Sequence, residues 1–483
     1  MTLQTLFEEY WPHLVLLVSV VTGATAAVHA AMTKNDVRAA ISWVGVILMS
    51  PLVGPFLYLI AGINRIRRDQ ISQQRDKSLK EYSRIQSPTN FEIAEYSARQ
   101  FESLRLLGDK ISRHPLRNGN NIRMLVGGDQ TYPAMIQAID QARKSIALQT
   151  YIFDNDSEGR KIADALARAK ERGVEIRVLI DSIGSKYSRP PIIHLLRKKG
   201  IQTALFMTNP LGLRMPYANL RSHRKILVVD GRIGFTGGMN IREAFVTAVA
   251  GDKTAGDTHF RVEGPIVMQL ISVFAQDWEF TTKEALPYDT WCDETSSPPE
   301  PKVPARCIWS GPDRAIVSTH NMLLGAFAVA QRHIRIQSPY FLPDATLLGA
   351  INTAARRGII VDIVIPGSNN LRLVNYAMTA QLDQVIRTGC RVWRARGNFN
   401  HSKLITIDGA WSYVGSSNMD PRSLRLNFEL DVEIYSRDTA LAIEKQIDGE
   451  IAHSDRTTLE GLAEIPFRKR LRNRIIWLAS PYL

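Results

Sequence analysis

The chain has 483 residues, 45% of them hydrophobic, which is enough for two core-bearing lobes and an appendage at roughly 100 to 200 residues per domain. Its formal charge of +13 points to an anionic partner, either phospholipid or nucleic acid. The three cysteines, Cys292, Cys307 and Cys390, lack metal-ligand spacing, which excludes a cysteine metal centre and fits a reduced compartment.

Two apolar runs open the chain. Leu14 to Met32 is 19 residues and Ala39 to Ile63 is 25, neither with Asp, Glu, Lys or Arg, and each meets the roughly 20 residues that a bilayer-crossing helix requires. Glu8 and Glu9 stand where a signal peptide would be basic. With only Thr33 to Arg38 between them, the runs are expected to form a hairpin over residues 1–64, kinked in its second arm by Pro51 and Pro55. Beyond the hairpin come the basic residues Arg65, Arg67, Arg68, Arg75, Lys77 and Lys80, against Asp69 and Asp76. By the positive-inside rule they put the chain after residue 64 on the cytoplasmic side, and residues 65–110 are read as a basic juxtamembrane linker or helix.

Residues 111–285 and 306–465 then repeat one plan. Ile146 to Phe153 resembles Ile334 to Phe341, and Arg172 to Ile180 resembles Arg357 to Ile365. Apolar β-branched runs at 176–180 and 359–365 predict buried strands, 163–172 and 347–357 predict helices, and Gly173 and Gly358 are their stops. Residues 286–305, with the Pro-rich Thr295 to Pro304, are read as the linker between the repeats. The last segment, 466–483, carries Arg468, Lys469, Arg470, Arg472 and Arg474 before Ile475, Ile476, Trp477 and Leu478. A basic cluster beside a Trp-bearing apolar end suits the headgroup region of an anionic membrane, and a solvated tail is the plainer alternative.

Each repeat ends in the same pattern. His223, Lys225, Asp230, Gly237 and Asn240 recur 178 positions later as His401, Lys403, Asp408, Gly415 and Asn418, with identical internal offsets. Such a repeat points to one site made from two related halves. Lys225 to Val229 and Lys403 to Ile407 predict strands ending in Asp-Gly turns, so each His and Lys would share a strand face and could reach one phosphate. A phosphodiester enzyme without a metal needs a nucleophile, positive charge on the nonbridging oxygens and an acid for the leaving alkoxide. Two His and two Lys supply these, so His223, Lys225, Asp230, His401, Lys403 and Asp408 form the candidate catalytic set, with Asp230 and Asp408, each before Gly, read as mainly structural. Asn240 and Asn418 are candidates to hold phosphate oxygens. Tyr151, Tyr340 and Arg422 could line the pocket or belong to core and surface, whereas His194, His259, His320 and His333 lack the repeat and are read as ordinary polar residues.

The paired motifs resemble the HKD motifs of the phospholipase D superfamily. Within it, Gly415 to Leu430, Asn219 to Asp230 and Asp257 to Pro265 resemble bacterial cardiolipin synthases of the type with an N-terminal membrane hairpin. The resemblance implies an α/β fold of two pseudo-twofold-related phospholipase D-like lobes, each a β-sheet flanked by helices, sharing one active site and preceded by a transmembrane helical hairpin. It implies His223 as nucleophile and His401 as acid and base. It also implies a supporting carboxylate downstream of each motif: Glu429, 28 residues after His401, and Asp257, 34 residues after His223. The implied reaction transfers a phosphatidyl group from one phosphatidylglycerol to another, at the bacterial inner membrane, with phosphatidylethanolamine as a second possible donor. No metal ligand set, Walker loop or cofactor motif is found, so none is expected, and nucleic acid is not an expected partner. The rival readings are a hydrolysing membrane phospholipase, a nucleic-acid phosphodiesterase and a scaffold with a decayed site; the presence of both His, both Lys and both Asn argues against the last.

Overall fold

The computed structural model describes residues 3–34, 36–63, 68–75, 82, 91–208, 219–293 and 302–480. Arg65, Arg67, Lys77 and Lys80 of the basic segment, and residues 294–301 of the Pro-rich linker, lie outside the described residues. The chain forms two compact units, residues 1–66 and 67–483.

In the first unit, Leu3–Thr33 is one helix, and its Tyr10–Thr33 portion is the one stretch among the described residues long and apolar enough to cross a membrane. The second apolar run is not one helix. It is divided into Val37–Met49, Val53–Leu57 and a π-helical turn Tyr58–Gly62. Pro51 sits at the break, where it has no N–H to continue the ladder. The restarted helix lies so close to the preceding one that a Cβ on Gly54 would meet the Val46 carbonyl oxygen at 2.5 Å. Asp36 caps Val37–Met49 by accepting from the Ala39 amide at 2.9 Å. Ala30, Ile47 and Tyr58 form the unit's small core, and the Tyr58 hydroxyl meets His29 Nδ1 at 2.8 Å.

The second unit is organised by its strands, taken in chain order: β1 Arg117–Val126, β2 Ser145–Thr150, β3 Glu175–Asp181, β4 Gln202–Phe206, β5 Arg221–Ser222, β6 Ile226–Val229, β7 Ile233–Gly237, β8 Thr258–Glu263, β9 Val303–Ser310, β10 His333–Gln337, β11 Ile360–Pro366, β12 Arg391–Ala395, β13 Leu404–Ile407, β14 Trp411–Gly415, β15 Asn427–Tyr435 and β16 Ser454–Thr457. Their order across the sheet is β16-β12-β11-β10-β13-β14-β15-β9-β1-β8-β7-β6-β2-β3-β4. β16 apart, this order is a palindrome about the antiparallel β1–β9 pair, with β12 answering β4, β13 answering β6 and β15 answering β8. The two repeats are therefore related by a pseudo-twofold axis and merge into one sheet.

Within each repeat three strands run parallel, β2-β3-β4 and β10-β11-β12, the first two of each joined by the crossover helix Ser157–Glu171 or Ala345–Arg356. Asp156 and Asp344 cap these helices, and Gly173 and Gly358 end them at φ +85° and +88°, which side-chain-bearing residues rarely adopt. Alternation within β2 sorts its faces. Ile146 and Leu148 join the apolar cluster under Ser157–Glu171, while Gln149 points to the opposite side, where its amide donates to Asp277 on the buried helix Ile266–Thr282 at 2.8 Å. Each repeat has its own apolar cluster.

Two segments read as peripheral are integral. In the 65–110 segment, Ile93, Phe101 and Leu104 are buried in the core of the second repeat. Arg75, counted among the juxtamembrane charges, is buried and bridges Asp277 and Asp313 at 2.7 Å each. The tail, for its part, is a helix, Phe467–Leu478, packed on helix Arg372–Gln381.

Candidate active site

Both motifs come to one place where the repeats meet. The His223 and His401 rings lie 6.2 Å apart between centroids, at an interplanar angle of 79°, and both line a cavity of about 530 Å³. Each His and Lys stands in the irregular segment just before β6 or β13 and not on the strand itself, which differs from the expected alternation. The segment is held by the other repeat instead. The His223 amide donates to the Phe428 carbonyl at 2.9 Å, beside the short parallel pairing of β5 with β15. Symmetrically, the His401 amide donates to the Gly256 carbonyl at 2.7 Å, where Gly256 bridges Asn400.

The supporting carboxylates are exchanged in the same way. His223 Nδ1 pairs with Glu429 Oε2 at 3.0 Å, and His401 Nδ1 pairs with Asp257 Oδ2 at 2.9 Å. Chain order suggests the carboxylate downstream within the same repeat; the structure supplies it from the opposite one. The register explains how. Gly237 faces His259 across β7–β8 and Gly415 faces Asp431 across β14–β15, so Asp257 and Glu429 occupy equivalent positions two residues before these. Because β8 and β15 flank the central β1–β9 pair, their leading ends reach across the axis.

A proton on Nδ1 shared with the carboxylate leaves each Nε2 free to act as a base or nucleophile. Burial pushes both imidazoles below the ordinary histidine range; His401 is held down to about 3, with Lys403 adding to the effect and Asp257 opposing it. Both carboxyls lie lower than usual, as their His and Lys partners outweigh burial. The lysines are buried as well, which lowers Lys225 to about 7 and Lys403 to about 8. Each Nζ donates to the carbonyl of its own motif His, and Lys403 Nζ also lies 3.0 Å from His401 Nδ1. A bound phosphodiester would favour the charged form of both lysines and both imidazoles, since its negative charge offsets part of their burial cost.

Asn240 and Asn418 line the same cavity. Asn240 Oδ1 accepts from the Ile152 amide at 3.1 Å, whereas the Asn418 side-chain oxygen is buried without a hydrogen-bond partner among the described residues. Asp230 and Asp408 do different work. Each sits after its strand at positive φ and accepts backbone amides: Asp230 from Arg143, Lys144 and Ser145, and Asp408 from Gln331, Arg332 and His333. They anchor the starts of β2 and β10, at the far ends of β6 and β13 from the histidines. Tyr151 packs edge-on to His223 at 5.3 Å, Tyr340 packs similarly on His401 at 6.3 Å, and Arg422 joins the cavity wall. His194, His259, His320 and His333 do not line the cavity.

Two features escaped the sequence reading, Arg224 and the unequal cavity walls, and a third, the hydroxyl that Ser416 adds where the first motif has Gly238, was legible there without its partner. Arg224, between the motif His and Lys, points away from the cavity. It donates to Asp277 at 2.7 Å, to the Ser310 carbonyl and to the carbonyl of Glu429, both at 3.1 Å, tying the first motif to the second repeat. Ser416 Oγ donates to Glu429 Oε2 at 2.6 Å, while a Cβ on its counterpart Gly238 would meet Asp257 Oδ1 at 2.3 Å. The cavity walls are also unequal: Arg221 and Arg242 in the first repeat stand where the second has Phe399 and Asp420. The offsets that align the motifs align these pairs too, and were the available signal.

The family profile described as "Cardiolipin synthase, PLD-like domain" matches residues 135–278 and 323–451, and "Phospholipase_D-nuclease N-terminal" matches residues 15–62. Cardiolipin synthase A of Pseudomonas fluorescens strain Pf-5 is 31% identical over 470 residues, 95% of this chain and 96% of the relative. The cardiolipin synthase of Alkalihalophilus pseudofirmus is 30% identical over 445 residues, covering 92% and 88%. The crystal structure of phosphatidylserine synthase from Haemophilus influenzae matches 79% of this chain and all of its own at a TM-score of 0.60 and 16% identity, a likeness of fold. A family match over more than half of the residues, and relatives aligned nearly end to end, establish that the chain belongs to the cardiolipin synthase family of phospholipase D-like proteins.

Proposed function

We propose that the protein transfers a phosphatidyl group from one phosphatidylglycerol to another, yielding cardiolipin and glycerol. The observation that carries this reading is the pair of histidines in one cavity, each backed by a carboxylate and a lysine. In the first displacement His223 Nε2 attacks phosphorus, the bond to the headgroup glycerol oxygen breaks, and His401 gives that oxygen its proton. In the second, His401 takes a proton from the free glycerol hydroxyl of another phosphatidylglycerol. That oxygen attacks phosphorus, and the phosphorus–nitrogen bond breaks. Lys225, Lys403, Asn240 and Asn418 hold the nonbridging oxygens, while Glu429 and Asp257 orient His223 and His401. One phosphodiester replaces another, so no nucleotide is consumed.

The apolar N-terminal helix and its family match support membrane association. The finer reading is a two-armed anchor over 1–64 in the bacterial inner membrane, with the catalytic repeats, 111–285 and 306–465, on the cytoplasmic side. Arg65, Arg67, Arg68, Lys77 and Lys80 supply the positive charge for that orientation.

The test is to incubate the purified protein in micelles with headgroup-labelled phosphatidylglycerol beside a His223→Ala control, and to follow lipids by mass spectrometry. Cardiolipin with one released glycerol per molecule is the expected product. Phosphatidic acid in its place would make the protein a hydrolase, and product formed only after phosphatidylethanolamine is added would change the donor. Degradation of DNA in detergent would support the nuclease.

A further inference from the structure

Helix Phe467–Leu478 buries Asn473 and packs Ile476 and Trp477 against the core of the second repeat. Arg472 lies over the Tyr376 ring at 3.6 Å, and Arg474, at the border between the two sides, meets Asp383 at 3.0 Å, so the helix is held firmly. Its outer side is apolar. Phe467, Leu471, Ile475 and Leu478 are 69%, 47%, 57% and 72% exposed. At about 100° per residue, these four fall within roughly 80° of one another, on the side opposite Asn473, Ile476 and Trp477. Arg468 borders one edge of this stripe, and Arg470 and Arg474 border the other.

A stripe of large apolar side chains aimed at solvent is a standing cost for a folded surface, and basic residues along both edges place it beside anionic charge. The helix carries no acidic residue, which argues for a surface of anionic headgroups over acyl chains as its occupant. It packs on helix Arg372–Gln381, where Val374, with the preceding Leu371, lines the catalytic cavity. From this geometry we propose that Phe467–Leu478 is an interfacial helix that lies in the surface of an anionic bilayer and holds the cavity beside the lipid. The proposal needs no turnover, so it stands or falls separately from the transferase reading.

The test uses the full chain with His223→Ala, so that lipid is not consumed, and Leu471→Cys carrying a polarity-sensitive fluorophore. The three native cysteines are buried, which confines the label to residue 471. In vesicles of phosphatidylglycerol and phosphatidylcholine the emission shifts to the blue, acyl-chain quenchers reach the probe, and aqueous iodide quenching falls several-fold; in phosphatidylcholine alone the change is smaller. Replacing Arg468 and Arg470 by Gln weakens the anionic preference by roughly five-fold per residue. Replacing Phe467 and Ile475 by Ser returns the probe to water. A probe quenched equally by iodide with and without anionic vesicles overturns the proposal. So does a shift in lipid-free detergent that grows with protein concentration, which would assign the stripe to a second copy, and so does a shift produced only by added DNA.

Discussion

At the residue scale the site depends on small differences between two equivalent positions. Gly238 and Ser416 occupy the same place in their repeats, yet the first leaves room for Asp257 and the second donates to Glu429. Gly238→Ala should therefore push Asp257 away from His401 and lower kcat by about 100-fold, the scale of a misplacement near 1 Å. An unchanged kcat in a folded variant would show that the Asp257 contact does not govern the reaction. Acidity follows from burial. In the proposed mechanism the nucleophile is neutral, both lysines are protonated and His401 carries a proton that the bound phosphodiester helps to hold, so kcat, which reports the substrate complex, should fall as pH rises past about 7 to 8, the range to which burial lowers Lys225 and Lys403. The acid limb, set by the nucleophile His223, should lie below the ordinary histidine value, because burial holds that imidazole low. Initial rates in mixed micelles across this range check both limbs; a rate still climbing well above the lysine range would show that neither ammonium is required.

Individual elements are tied down by the motif aspartates. Asp408 lies at the end of β13, is buried, and receives three consecutive amides at the start of β10 as well as Gln100 Nε2 at 3.0 Å. Asp408→Ala leaves those donors without their charged acceptor and should cost about 2 to 4 kcal/mol, read as a lowered denaturation midpoint. Asp408→Asn should recover part of this. Activity lost with an unchanged midpoint would return Asp408 to the chemistry. The N-terminal run shows the opposite limit on element-level reading: hydropathy marks 39–63 as continuous, but Pro51 divides it.

On the scale of the whole molecule, residues 67–483 form one compact unit apart from 1–66. Deleting residues 1–64 should leave turnover in mixed micelles near that of the full chain while reducing sedimentation with vesicles. Loss of turnover in a folded truncation would mean that the N-terminal unit shapes substrate entry. The repeats cannot be separated in this way, since each motif His draws both an amide acceptor and a carboxylate from the other repeat. Arg75 and Arg224 meet at Asp277 between the repeats, and a buried charge there cannot lose its partners cheaply.

The sequence alone determined the repeat, its parallel strand and crossover-helix units and the motif residues, while the family resemblance implied Glu429 and Asp257. Period-two and helical patterning, Gly stops and identical offsets are local properties, and each is written in consecutive residues. It could not determine which carboxylate serves which histidine, the burial of Arg75 and Arg224, or the outward face of Phe467–Leu478. Those depend on strand order. Only when β1 pairs with β9 do the ends of β8 and β15 cross the pseudo-twofold axis, bringing Glu429 to His223 and Asp257 to His401 over separations of 206 and 144 residues.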